Sequence, residues 1–116
     1  MSESRSMHDA ANTELPEPTP KPTSLDGQLE TSLDIWASED GRCETGVWEC
    51  SPGTFTATRD GYDEVATIVS GRATVVDAQG ISIELVPGSV LVTPAGWSGT
   101  WTVHETMRKT YVLRFV

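Results

Sequence analysis

The sequence is short of most residue types that carry common chemistries. Its 116 residues include two histidines, two cysteines and eight lysines and arginines, against seventeen aspartates and glutamates. The net charge of −9 leaves no basic face for a phosphate backbone, so nucleic acid is not expected as a partner. Cys43 and Cys50 are too few for a disulfide framework, and a reduced, cytoplasmic setting is the simplest expectation. No apolar run approaches the roughly 20 residues of a membrane span, so no membrane is expected either. The opening Met1-Ser2-Glu3-Ser4-Arg5 also lacks the apolar core of a signal peptide. Nor does any stretch sustain a 3.6-residue apolar period, which removes helices from the expected core.

What the chain does have is proline in one place and short alternating strands in the rest. Four of the seven prolines are Pro16, Pro18, Pro20 and Pro22, which remove backbone donors at alternate positions and favour an extended chain. Residues 1–24 are expected as a flexible, proline-rich acidic tail across the surface of a single domain at 25–116. Such a tail is either inert or a docking arm in an oligomer.

From Leu25 onward, turn signals recur every several residues. Ser38-Glu39-Asp40-Gly41-Arg42 is expected as a hairpin turn between Leu33–Ala37 and Cys43–Cys50. Further breaks are expected at Ser51-Pro52-Gly53, Arg59-Asp60-Gly61, Ser70-Gly71, Asp77–Gly80, Pro87-Gly88 and Pro94-Ala95-Gly96. Ile81, Ile83 and Leu85 alternate with Ser82 and Glu84, and Tyr111, Leu113 and Phe115 alternate with Thr110, Val112 and Arg114. That is the period of half-buried strands. About nine or ten such strands predict an all-β antiparallel sandwich or barrel. Trp36, Trp48, Trp97 and Trp101 can each bury about 150–250 Å², so several of them are expected in the core. A short barrel leaves edges to cover, and a homodimer through an edge or a sheet face is expected.

Two segments carry a family resemblance. In Glu64-Val65-Ala66-Thr67-Ile68-Val69-Ser70-Gly71 a glutamate precedes a glycine by seven residues, which resembles the end of the first cupin motif. Gly88-Ser89-Val90-Leu91-Val92-Thr93-Pro94-Ala95-Gly96 resembles the opening of the second. Gly46-Val47-Trp48-Glu49, Tyr62-Asp63-Glu64, Gly96–Trp101 and Arg108-Lys109-Thr110-Tyr111 add a likeness to the cupin domain of ureidoglycine aminohydrolase and to ethanolamine-utilisation cupins. The resemblance spans about Trp48 to Phe115 and implies a double-stranded β-helix, the cupin jelly-roll barrel.

Metal-binding cupins carry a His-x-His pair shortly before that glutamate and a further histidine after the Pro-x-Gly. Here the first region reads Ala57-Thr58-Arg59-Asp60-Gly61-Tyr62-Asp63, and the later position is Gly99. Of the four ligands the resemblance implies, only Glu64 remains. His8 lies in the tail, and His104 shares parity with Thr100 and Thr102, facing outward. No metal and no other cofactor is expected, because a divalent site wants three or four converging ligands.

If Glu64 points inward, as the resemblance implies, Tyr62 and Ala66 share its face. Lys109 and Tyr111 share one face of the last strand, and Trp101 faces the interior of the strand before it. Glu64 and Lys109 are the candidate catalytic pair: Glu64 as a general base or an anchor for a cationic group, Lys109 for a carboxylate or ureido oxygen. Tyr62, Tyr111, Trp48 and Trp101 are the candidate ligand-binding walls. A second account has Glu64 and Lys109 simply pairing with one another inside a packed core. Cys50 is expected as a small buried thiol, and its parity relative to Cys43 argues against a bridge. The functions in view are binding, with or without metal-independent transformation, of a small polar metabolite, for which the resemblance suggests a nitrogen-containing compound; a metal-dependent enzyme of the ureidoglycine aminohydrolase type; and a non-catalytic scaffold or sensor.

Overall fold

A computed structural model describes residues 2–116. Eight strands form: β1 (Thr19–Pro20), β2 (Leu29–Ala37), β3 (Cys43–Cys50), β4 (Gly53–Thr58), β5 (Tyr62–Asp77), β6 (Ser82–Leu85), β7 (Val90–Thr93) and β8 (Ser98–Phe115). All pairings are antiparallel, in the order β1-β2-β3-β8-β5-β6, with β4 on β8 and β7 on β5.

The two long strands organise everything else. β5 and β8 pair along nearly their whole length, from Tyr62↔Phe115 to Asp77↔Gly99. Their near half is flanked by β7 and β3, and their far half by β6 and β4. One bent ribbon thereby contributes to two packed layers, the jelly-roll arrangement. Between the layers lies a core that includes Phe55, Ile68, Val75, Leu85, Trp101 and Met107.

The sequence reading expects more and shorter strands than the structure has. At Ser70-Gly71 it places a turn, yet β5 runs through this point with register shifts between Ile68 and Ala73. Gly71 sits at φ +84°, where a side chain is strained, and the Thr106 carbonyl and Met107 Cα occupy the space a Cβ would take. The glycine makes a bulge that bends the strand, and the ladder to β8 continues on both sides. For the same reason the separate strands expected at Thr100–Val103 and Lys109–Val116 are one, β8. The hairpin at Ser38–Arg42 forms as read: the Ser38 hydroxyl accepts from the amides of Arg42 (3.1 Å) and Cys43 (3.0 Å).

Residues before 24 make contacts with the barrel. Thr19 and Pro20 pair with Glu30 and Leu29 as an edge strand, where a proline's missing donor is harmless. Upstream, the Pro16 carbonyl accepts from the Thr31 hydroxyl (2.7 Å), and the Ala10 carbonyl accepts from Arg108 (3.0 Å). The alternating prolines keep this arm extended with its carbonyls free, and it lies along the outer face of β2, β3 and β8. Val47 points out of the barrel, yet it is fully buried, because the arm crosses this face.

Candidate functional site

One cavity of about 210 Å³ opens into the barrel beside Glu64. β5 supplies Tyr62 and Glu64, β8 supplies Lys109 and Tyr111, and β3 supplies Trp48. Phe55 of β4 and Ser32 of β2 complete the apolar and neutral walls. Two cations come from outside these strands: Arg59 from the β4–β5 turn, and Lys21 from the segment just after β1.

Charge is concentrated on one carboxylate. Glu64 Oε1 accepts from Arg59 Nη2 at 2.8 Å and from Lys109 Nζ at 3.1 Å. All three residues are buried. Arg59 is held in turn by Nε donating to the Thr93 hydroxyl (2.9 Å), and its guanidinium lies over Tyr62 and Trp97. Lys109 Nζ sits 4.5 Å from the Trp48 ring centre and 4.7 Å from that of Trp101. Lys21 Nζ donates to Glu30 (2.9 Å) and lies 4.4 Å above Phe55. Glu30 also accepts from the Trp48 indole (2.9 Å), and Tyr111 donates to Asp34 (2.6 Å).

These contacts set the direction in which each group's titration moves, which parity alone leaves open. Burial pushes the Glu64 carboxyl up, but Lys109 and then Arg59 outweigh it and hold the group below its ordinary value. Burial pulls Lys109 down, and Glu64 only partly offsets this. The Tyr111 phenol is pushed up, first by burial and then by its bond to Asp34. Glu64 is therefore a carboxylate at neutral pH, able to accept a hydrogen bond or a proton but not to donate one. Among the described residues its second oxygen takes no hydrogen bond.

The strands bring Glu64, Lys109, Tyr62, Tyr111 and Trp48 to this one cavity. Trp101 points inward as parity requires, but it is fully buried in the core and does not line the cavity. It stacks on Phe55 at 5.7 Å and meets Trp48 edge-on at 6.2 Å, and those two rings form the wall in its place. Arg59 and Lys21 are the cavity-lining cations that the sequence reading does not single out. Arg59 stands five residues before Glu64, in the region where the resemblance implies metal-binding histidines. Lys21 is the lone cation in the proline run and gives no signal by itself. Cys43 and Cys50 are both free, and burial pushes the Cys50 thiol up to about 11.

A divalent metal does not fit these residues. Oε1 of Glu64 already faces two fixed cations, and Asp60 is exposed. At Gly99, where the resemblance implies a histidine, a Cβ would meet the Trp97 ring and the Val76 carbonyl at 2.6 Å. Among the described residues no group of three His, Cys, Asp or Glu side chains converges.

A bent β5–β8 ribbon closing over a charged, aromatic-walled cavity defines a small cupin. The family model for the EutQ-like cupin domain matches residues 37–111, and the chain belongs to that family. Among solved structures, the Clostridium difficile EutQ protein is similar over 83% of this chain and 75% of its own, with 22% identity and a TM-score of 0.70. A protein of unknown function from Pseudomonas syringae pv. tomato matches 90% of this chain at 18% identity and a TM-score of 0.75. This chain spans less than half, 46%, of that longer protein. Ectoine synthase from P. lautus matches 79% of this chain and 68% of its own at 16% identity, with a TM-score of 0.68. At these identities the likeness establishes the fold. No curated protein matches the sequence. Among the described residues no helix is long and apolar enough to cross a membrane.

Proposed function

We propose that the protein binds a small polar metabolite in the barrel cavity through its own side chains. The ligand we infer carries a carboxylate or carbonyl oxygen together with an N–H group. One observation carries this reading: two buried cations, Arg59 and Lys109, share a single oxygen of Glu64. One carboxylate thus faces two buried basic side chains inside an aromatic-walled cavity, and a buried charge calls for a partner. An anionic or carbonyl oxygen supplies that partner. The unused oxygen of Glu64 faces the same space as an acceptor for nitrogen-bound hydrogen. At about 210 Å³ the cavity is smaller than the usual sites for drug-sized molecules, which favours a compact metabolite.

Isothermal titration calorimetry in chelator-containing buffer tests this with a panel of small carboxylates, amino acids, ureido acids and neutral amides. Saturable binding is expected for members that carry both groups. Lys109→Met should weaken it at least tenfold, in line with about 1.5–3 kcal/mol for a hydrogen bond to a charged group. Lys21→Met, at the cavity rim, should weaken it less. Absence of binding across the panel, or binding indifferent to Lys109→Met, would overturn the reading.

A further inference from the structure

The sequence contains two lysines, Lys21 and Lys109, and the fold brings both amines to the same cavity. They are held differently. Lys21 Nζ pairs with Glu30 at 2.9 Å, an acid that no other cation shares among the described residues. Lys109 must share Glu64 with Arg59. One carboxylate balances one cation, and arginine keeps its proton in proteins, so of the two it is Lys109 that can give a proton up. Hydrogen bonding points the same way. A lysine ammonium has three N–H donors, and Lys109 Nζ makes a single hydrogen bond, to Glu64 at 3.1 Å. Its other close neighbours are the faces of Trp48 and Trp101, at 4.5 Å and 4.7 Å, which attract a cation but offer no acceptor atom. Burial adds to this by pulling Lys109 below its ordinary value. An amine set among apolar walls beside a second cation is a nucleophile for carbonyl carbon.

We propose, resting on the reading of this cavity as a metabolite site, that Lys109 Nζ forms a reversible imine with the carbonyl carbon of a compact aldehyde or 2-oxo acid. The step balances without a further reagent. The nitrogen lone pair forms the N–C bond as the C=O π pair moves onto oxygen. The two hydrogens of the neutral amine then pass to that oxygen, with Glu64, 3.1 Å away, as the relay. The C–O bond breaks, C=N forms and water leaves. Nothing is oxidised or reduced, and hydrolysis returns the free lysine. A cavity of about 210 Å³ suits a molecule of this size, and Lys21 at its rim gives a carboxylate on the same molecule a cation to face.

Reductive trapping of the full chain at neutral pH is the test, with glyoxylate, pyruvate or acetaldehyde as the carbonyl and cyanoborohydride to fix the imine as a secondary amine. Peptide mass mapping compares Lys109 with Lys21 in the same wild-type molecule, so the result does not depend on a variant that folds. At least one of the three carbonyls is expected to label Lys109 at least about tenfold faster than Lys21. In urea, where neither amine keeps its surroundings, the preference should disappear. No label on Lys109 with any of the three, or equal labelling of the two lysines in native buffer, overturns the proposal. So does a preference that survives in urea, since its cause would then be local sequence. Titration calorimetry with carboxylates and amides that lack an aldehyde or ketone separates the imine from the site itself. Binding there without a trapped Lys109 overturns the imine alone, and failure of both overturns the metabolite site as well.

Discussion

Replacing Glu64 by glutamine keeps the shape and one acceptor oxygen but removes the charge that two buried cations share. Arg59 and Lys109, 2.8 Å and 3.1 Å away, would then face a neutral amide, with no other acid among the described residues paired to either. Breaking a buried ion pair from one side costs about 3–5 kcal/mol. Lys109 itself sets a ceiling on its share. A lysine with an ordinary value of 10.5 becomes neutral at pH 7 for about 5 kcal/mol, at about 1.4 kcal/mol per unit, so it sheds its proton before the penalty grows further. The expected loss is therefore about 3–5 kcal/mol of a total near 5–15 kcal/mol. Urea unfolding followed by tryptophan fluorescence reads it directly.

The pH dependence adds a second signature. A lysine whose folded value lies below 10.5 binds fewer protons folded than unfolded, so stability rises with pH across that interval. The deficit of Glu64→Gln should accordingly shrink as pH rises from 7 toward 10. In the wild type the depressed Glu64 value contributes stability that is complete above about pH 4.5 and is lost as pH falls through the folded value. Adding Lys109→Met to Glu64→Gln should recover much of the loss, since a methionine packs between Trp48 and Trp101 without charge. A deficit below about 1 kcal/mol at pH 7, or one that does not change with pH, would refute this account of the trio.

Two further outcomes follow from the core. Trp101→Ala should cost about 3–5 kcal/mol in urea unfolding, because it empties a fully buried site between Phe55 and Trp48. Trp101→Phe should cost less, since the indole N–H lost has no hydrogen-bond partner in the described structure; equal losses would argue against that placement. Burial that pushes Cys50 from 9.0 to about 11 contributes stability that is complete below pH 9 and is lost as pH rises toward 11. At pH 8 a thiol reagent should therefore modify Cys43 alone in the folded protein, with Cys50 reacting only after unfolding. Rapid reaction of both thiols in native buffer would contradict this.

Much of this could be read from residue order. Alternation in Tyr111–Phe115 marks which side chains turn inward, because successive residues of a strand point to opposite faces, whereas of the alternating Ile81, Ile83 and Leu85 only Leu85 is buried. Inward parity places Glu64, Tyr62, Lys109 and Tyr111 together once the strands pair. The glycine and proline signals mark most breaks correctly, and they mislead at Gly71, because a positive φ serves a bulge as well as a turn. Which of the two forms depends on whether the neighbouring strand keeps its ladder, and β8 does.

The tertiary structure alone decided the rest. Whether Glu64 is raised by burial or lowered by its neighbours depends on Arg59, whose approach is set by the β4–β5 turn and the Thr93 hydroxyl rather than by strand parity. Lys21 enters the cavity because β1 pairs with β2 and carries the chain past Trp48 and Phe55. Trp101 is excluded from the cavity because Phe55, brought alongside by β4, covers it. Sequence by itself determined the all-β class, the inward faces and the loss of the metal-ligand pattern, since these rest on local chemistry and period. Contacts between residues far apart in the chain determined the charge state, the cavity wall and the seat of the arm, since Coulomb and packing energies depend on distance in space.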